Sequence, residues 1–297
     1  MESVAVRVVV CRCEFPGGLR MLDTRDIAAS TEAISSDRPS SRFQLFKKYE
    51  HTILAAAGII TFIAIWELLP ALGLVQPLFT SSPSRILIAA QWLAANGLWN
   101  DIWISLTEFS IGFSLAVLVG VPLGVLLGWY RRWHAVFDPF ITMLYTTPRV
   151  ALLPLLILWL GIGLGSKIAV VFLGAIFPIL MNVTAGMRTI DETLLQCARS
   201  FGAKDRQIFT TLALPSSVPF TLSGLRIGVG RALVGVVVGE MVASTGGIGH
   251  MMSVAGSTFQ TDKVFVGIFL IAGFGYGITS LLNRLERRFD SWRPRGA

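Results

Sequence analysis

The stretch RTIDETLLQCARSFGAKDRQIFTTLALPSSVP, residues 188–219, decides how the rest of the chain is read. It is too polar to cross a membrane and too regular for a floppy linker. Leu194, Leu195, Ala198 and Phe201, then Ile208, Phe209 and Leu212, recur at helical spacing. Asp191 and Glu192 suit a helix start, and Gly202 suits a helix end. The pattern predicts a short amphipathic helix, a glycine turn and a second helix. Leu214-Pro215 is expected to break the chain, with Pro219 at the start of the next apolar run.

Around this polar island the chain is strongly apolar. Of its 297 residues 53% are hydrophobic and only 14% charged, against roughly 25% charged in an ordinary soluble domain. Mean hydropathy is +0.66. Too few charges are present to clothe a soluble surface, and the same composition excludes disorder for most of the chain. The fold class implied is an all-α integral membrane protein with small helix-packing residues, for which 29 glycines are available.

A spanning helix needs about 20 mostly apolar residues. Six runs qualify: 52–69, 109–128, 150–165, 168–187, 220–242 and 264–283. The third is short unless it extends back through Pro148. With the N-terminus inside, fifteen Lys/Arg fall in inside segments, Arg149 among them, and only Arg85, Lys167 and Lys263 fall outside. That asymmetry places both termini in the cytoplasm. Residues 1–45 are expected to be a disordered cytoplasmic tail, 46–290 a six-helix transmembrane domain with its loop at 188–219, and 291–297 a second cytoplasmic tail. Met1 and Met21 are alternative translation starts. Residues 81–97 suit a helix along the membrane surface, with Ser82 as cap, Pro83 in its first turn and Asn96-Gly97 at its end. Gly112, Ala116, Gly120, Gly124 and Gly128 form one stripe; Gly224, Gly228, Ala232, Gly235 and Gly239 form another. Both suit close helix packing.

Gln196-Cys197-Ala198, then Gly202 after three residues, then Leu212-Ala213-Leu214-Pro215 after nine, make a spaced pattern. It resembles the cytoplasmic loop of ABC importer permeases, written EAA, three residues, G, nine residues, I-x-L-P. The spacing is complete, while three identities differ: Gln for Glu, Cys for Ala, Leu for Ile. Ser82-Pro83-Ser84, Ser105-Leu106, Gly112-Phe113, Pro148-Arg149-Val150-Ala151-Leu152-Leu153-Pro154-Leu155, Trp159-Leu160-Gly161-Ile162-Gly163, Arg199-Ser200-Phe201-Gly202 and Gly224-Leu225-Arg226 resemble its nitrate/sulfonate/taurine/bicarbonate branch. The likeness covers about residues 50–290.

The resemblance implies a type I importer architecture in a bacterial inner membrane, with alternating access in a pair of permease chains. It implies a coupling helix docking on a cytoplasmic ABC ATPase dimer, with Leu194, Leu195 and Phe201 as apolar anchor and Arg199, Lys204 and Arg206 as rim. Gln196, Cys197, Ala198, Gly202, Leu214 and Pro215 complete that loop. A periplasmic or lipid-anchored binding protein would deliver the solute, a small anion such as a sulfonate, taurine or nitrate; aromatic or pyrimidine-like solutes are the other class. Residues 244–263, with Gly246-Gly247-Ile248-Gly249, resemble a scoop facing that binding protein, or else form a flexible hairpin.

The chain has no G-x-x-x-x-G-K-[ST] sequence, so ATP hydrolysis is expected on another polypeptide and this chain is not expected to be an enzyme. Three cysteines and three scattered histidines suggest neither a disulfide framework nor a metal site, and no cofactor is implied. The basic residues flank apolar runs, so membrane lipid rather than nucleic acid is the expected partner. Ionisable or polar residues inside spans are candidates for the pathway: Asn182, Arg226, Arg231 and Glu240. Their competing roles are an interhelical hydrogen bond for Asn182 and snorkelling or structural pairing for the arginines. Glu67 and Glu108 suit interfacial solvation. An ion-coupled secondary transporter is the alternative function, but it calls for inverted repeats or a midplane ion site, and neither is evident.

Overall fold

The computed structural model describes residues 41–76 and 79–289, with side chains over 54–76 and 79–287. Among the described residues there are helices and no strands. In order they are α1 (Ser41–Ala71), α2 (Pro83–Ala95), α3 (Leu98–Trp129), α4 (Arg131–Thr146), α5 (Arg149–Leu160), α6 (Leu164–Arg188), α7 (Glu192–Ser200) and α8 (Asp205–Ile208). A π turn, Phe209–Ala213, leads into α9 (Leu214–Ala243), followed by α10 (Ile248–Ser257) and α11 (Thr261–Phe289). The chain divides into a unit ending at Phe62 and one running from Ile63, and the second holds the helical core. Of the expected tail, 41–45 are helical and open α1, while 1–40 lie outside the described residues, as do 291–297 and both candidate start methionines.

Among the described residues, four helices are long and apolar enough to cross a membrane: the 54–71 part of α1, α3, α6 and α11. The third expected span falls in a bent pair of helices, while the fifth, 220–242, lies within one helix that is followed by a bend. α4 and α5 meet at 95°, and the helix ending at Ala243 meets α10 at 54°. The third span is therefore not one straight helix. Pro148 forces the residue before it out of the helical region, and Thr147 is extended with ψ 129°. α5 alone, 12 residues, reaches about 18 Å at 1.5 Å per residue, short of the roughly 30 Å of hydrocarbon.

The core is α6, held between α3 and α9. The two small-residue stripes explain why. A Cβ on Gly112 would lie 2.7 Å from Val171 Cβ, and one on Gly124 would lie 2.7 Å from Val183 Cβ. On the opposite side, a Cβ on Gly224 would lie 2.8 Å from Asn182 Cβ, and one on Gly235 3.2 Å from the Val170 carbonyl. No side chain larger than hydrogen fits at these crossings without movement. Phe109, Ala116, Val171, Ala175, Ile179, Val183, Val229 and Ala232 fill the space that remains.

α2 is present as expected, but Ser82 does not cap it with its side chain. Glu67 of α1 does so, accepting the Ser84 backbone N–H at 3.1 Å and the Ser84 hydroxyl at 2.6 Å. Glu67 remains solvent-accessible while it does so. At the same end Asp262 of α11 accepts the Ser81 hydroxyl at 2.6 Å and pairs with Arg85 at 3.1 Å.

Candidate functional site

Three places collect the polar residues that an apolar protein retains. The first is the loop of residues 188–219. Asp191 caps α7 by accepting the Thr193 N–H at 2.8 Å, which holds its carboxyl below the usual carboxylate range. Gly202, at φ +76°, ends the helix. Its N–H donates to Arg199 O, and the Ala203 N–H reaches back to Ala198 O at 3.0 Å. That closure needs a left-handed residue, which glycine adopts without strain. No residue of α7 is buried; Leu194 is 54% exposed and Phe201 88%. Gln196, Cys197 and Arg199 are exposed, and Leu195 and Ala198 partly so.

The next few residues are fixed to the body. Ile208 is 1% exposed, and Phe209 meets Trp129 of α3 edge-on, ring centroids 5.0 Å apart. Leu214-Pro215 does not break the chain, contrary to the sequence expectation. Pro215 sits in the first turn of α9, where a missing N–H is tolerated. The preceding π turn lets the Leu214 N–H reach Phe209 O. Leu214 and Pro215 thus belong to the root of α9, apart from the exposed helix.

The second place is a sealed charge cluster beneath α10. Glu108 of α3 is completely buried and forms an ion pair with Lys167 of α6, itself 6% exposed. Lys167 also donates to the Ser244 hydroxyl at 2.9 Å. Glu240 is completely buried. One of its oxygens accepts the Ser105 hydroxyl and the other the Gly249 N–H, both at 2.6 Å. Ser105 in turn accepts the Ile248 N–H, and Asp101 the Gly247 N–H, each at 2.9 Å. Segment 246–249 is thereby strapped to α3, and it leads into the helix α10 rather than a flexible hairpin. Glu108 is not solvated at an interface, and both Glu240 oxygens have structural partners. Lys167, read from sequence as a loop charge, opens α6; a cation there opposes the helix dipole and is balanced by Glu108.

The third place is a cavity of about 300 Å³ lined by α4, α5, α6 and α9 residues, including Tyr145, Arg149, Gly174 and Arg231. Arg149, expected in an inside loop, lies instead against the middle of α6, donating from Nη1 to Gly174 O at 3.2 Å. That carbonyl is available because residue 178, its normal helical partner, is a proline without an N–H. Gly174 also lets α9 approach, since a Cβ there would lie 2.9 Å from the Arg231 carbonyl. The Tyr145 and Phe177 rings flank the Arg149 guanidinium at 5.6 and 5.9 Å, a cation–π arrangement. Arg149 is half-buried and Arg231 exposed. Among the described residues, no acidic side chain pairs with either arginine.

The remaining pathway candidates are placed elsewhere. Arg226 forms an ion pair with Glu286 of α11, which is structural pairing. Asn182 donates to Pro178 O of its own helix at 2.8 Å, not across helices. Sequence reading missed Arg149, Lys167 and Gly174. A lysine in a helix first turn, and a proline four residues after a glycine, were the available signals.

The family model described as binding-protein-dependent transport system inner membrane component matches residues 120–291. The putative aliphatic sulfonates transport permease protein SsuC of Bacillus subtilis (strain 168) is 36% identical over 232 residues, 78% of this chain and 84% of its own. The taurine transport system permease protein TauC of Escherichia coli (strain K12) is 32% identical over 267 residues, 88% of this chain and 96% of its own. The inward-facing MetNI methionine ABC transporter superposes with a TM-score of 0.57 at 21% identity, over 65% of this chain and 98% of that one, a likeness of fold.

Proposed function

The chain belongs to the family of binding-protein-dependent transport system inner membrane components, the multi-pass permease subunits of ABC importers, and from that premise we propose that it is one of two permease chains importing a small organic anion. The names of its relatives, a sulfonate and a taurine permease, favour a sulfonate-bearing solute. A binding protein delivers the solute at the face carrying α2 and α10. ATP hydrolysis takes place on a separate cytoplasmic subunit pair, which α7 engages. Both termini then lie on the cytoplasmic side.

The observation that carries this reading is α7 itself. It is capped at both ends, joined through the Gly202 turn to a root buried at Ile208, and presents Leu194 and Phe201 to solvent. An apolar anchor ringed by Arg199, Lys204 and Arg206 has the composition of a docking surface. A rigid root transmits displacement of the docked helix into α9.

The test is reconstitution with the ATPase subunit and the binding protein. Leu195→Asp and Phe201→Asp should abolish uptake and the stimulation of ATP hydrolysis by loaded binding protein, while membrane insertion is unchanged. Stimulated hydrolysis retained in both variants overturns the coupling role. Uptake abolished by a protonophore while ATP is maintained overturns the ATP-driven reading in favour of an ion-coupled carrier.

A further inference from the structure

We propose that the cavity flanked by Arg149 and Arg231 is a transit site for a small oxyanion, the two guanidiniums holding its charged head partway across the membrane. The inference rests on the anion-importer reading above and names where in this chain the anion is held.

Two cations line one cavity and no acidic residue does. Among the other charges of the helical body, Glu108 has Lys167 as its counter-charge and Arg226 has Glu286. Buried Glu240 is held by hydrogen bonds instead, whereas half-buried Arg149 and exposed Arg231 have no acidic partner among the described residues, and an unpaired ionisable group within a spanning bundle marks a pathway. Arg149 is also held in place. The Gly174 carbonyl orients its guanidinium, yet its Nε–H is buried without a hydrogen-bond partner. A guanidinium presents five donors in a planar fork suited to oxyanions, and the protein here uses one.

The size and walls fit a particular class. A volume near 300 Å³ is at the lower edge of small-ligand pockets, about 300–1,000 Å³. Val150, Val170, Val234 and Val238 supply an aliphatic wall for a short alkyl chain behind an oxyanion head. The Thr146 and Thr147 hydroxyls already donate to main-chain carbonyls of their own helix, so the arginines dominate recognition.

Two measurements test this. In proteoliposomes containing the full importer, Arg149→Gln and Arg231→Gln should each lower taurine and ethanesulfonate uptake by about tenfold or more, within the range by which like-charged clefts concentrate ions. Stimulated ATP hydrolysis should stay within about twofold of the parent, because an interaction with the moving solute, not coupling, is removed. Arg231→Lys should recover part of the uptake. Independently of solute, Val234→Cys in a background free of Cys11, Cys13 and Cys197 should react faster with an anionic than with a cationic methanethiosulfonate. That preference should fall about tenfold on Arg231→Gln. Unchanged uptake in both glutamine variants, or no reagent preference in the parent, overturns the site. Uptake and ATPase stimulation lost together in the glutamine and lysine variants alike also overturn it, in favour of a structural role. A parent that shows the reagent preference but imports no sulfonate keeps the anion site and refutes the sulfonate reading.

Discussion

The cluster beneath α10 and the cavity beside α5 are built from the same kind of residue and reach opposite outcomes. In the first, Glu108 and Lys167 lie against one another, and both Glu240 oxygens accept protein hydrogen bonds. Glu108 keeps its Oε2 without a hydrogen-bond partner, but its charge is balanced by Lys167, and the result is a strap that ties segment 246–249 to α3. In the second, Arg149 and Arg231 carry like charges, with only a carbonyl and two aromatic rings for support. A charge among the helices of an apolar protein is not by itself evidence of transport; its state of neutralisation distinguishes a fastening from a waiting site.

The strongest way to break this contrast is to remove one partner from the sealed cluster. Lys167→Met strands the Glu108 carboxylate and should cost about 3–5 kcal/mol, read as a large drop in thermal unfolding temperature in detergent. Combining it with Glu108→Gln should recover most of the loss. If the single variant unfolds like the parent, the ion pair is not a fastening. Next comes the packing that brings α9 to the cavity. Gly174→Ala places a Cβ 2.9 Å from the Arg231 carbonyl and should cost about 1–3 kcal/mol. Gly230→Ala, with nothing within 4 Å, should be neutral or stabilising by up to about 1 kcal/mol. Equal effects at the two glycines would contradict the close crossing of α6 and α9 at Gly174.

A subtler change sharpens the role of Pro178. Pro178→Ala returns an N–H to the Gly174 carbonyl and so competes with Arg149 for its acceptor. Stability should change by about 1 kcal/mol or less, while the anionic preference of reagents at Val234→Cys should decline. Smallest is the cap of α7. The Asp191 carboxyl is held low by the Thr193 N–H, so its contribution is fully present above the ordinary carboxylate value of about 3.9. It is lost as pH falls through the lower value of the folded state. Amide exchange at Thr193, corrected for its intrinsic pH dependence, should show protection failing on acidification but not in Asp191→Asn, whose cap does not titrate.

The elements legible in the sequence were those governed by local rules. The helix from Glu192, its stop at Gly202 and the glycine stripes reflect capping, left-handed backbone and fourfold spacing. What escaped was set by partners far away in sequence. Glu67 caps a helix that begins 16 residues later, and Glu108 meets Lys167 across 59 positions. The break at Thr147-Pro148 turned a presumed loop arginine into one beside Gly174. Hydropathy measures how apolar a run is and carries no term for a 95° bend.

The π turn at Phe209–Ala213 has a consequence for phase. Along the buried side, the steps run Ile208, Ala213, Ser217, Gly224, Gly228, Ala232. The first step is five residues, and later ones are multiples close to 3.6. A helical wheel drawn straight through from Ile208 predicts Thr211 or Leu212 inside, whereas Thr211 is exposed and Ala213 is the buried residue. One additional residue in a turn offsets everything downstream by about 100°. The azimuth at which Arg231 meets its cavity therefore has its origin about twenty residues earlier, in the clocking of that turn.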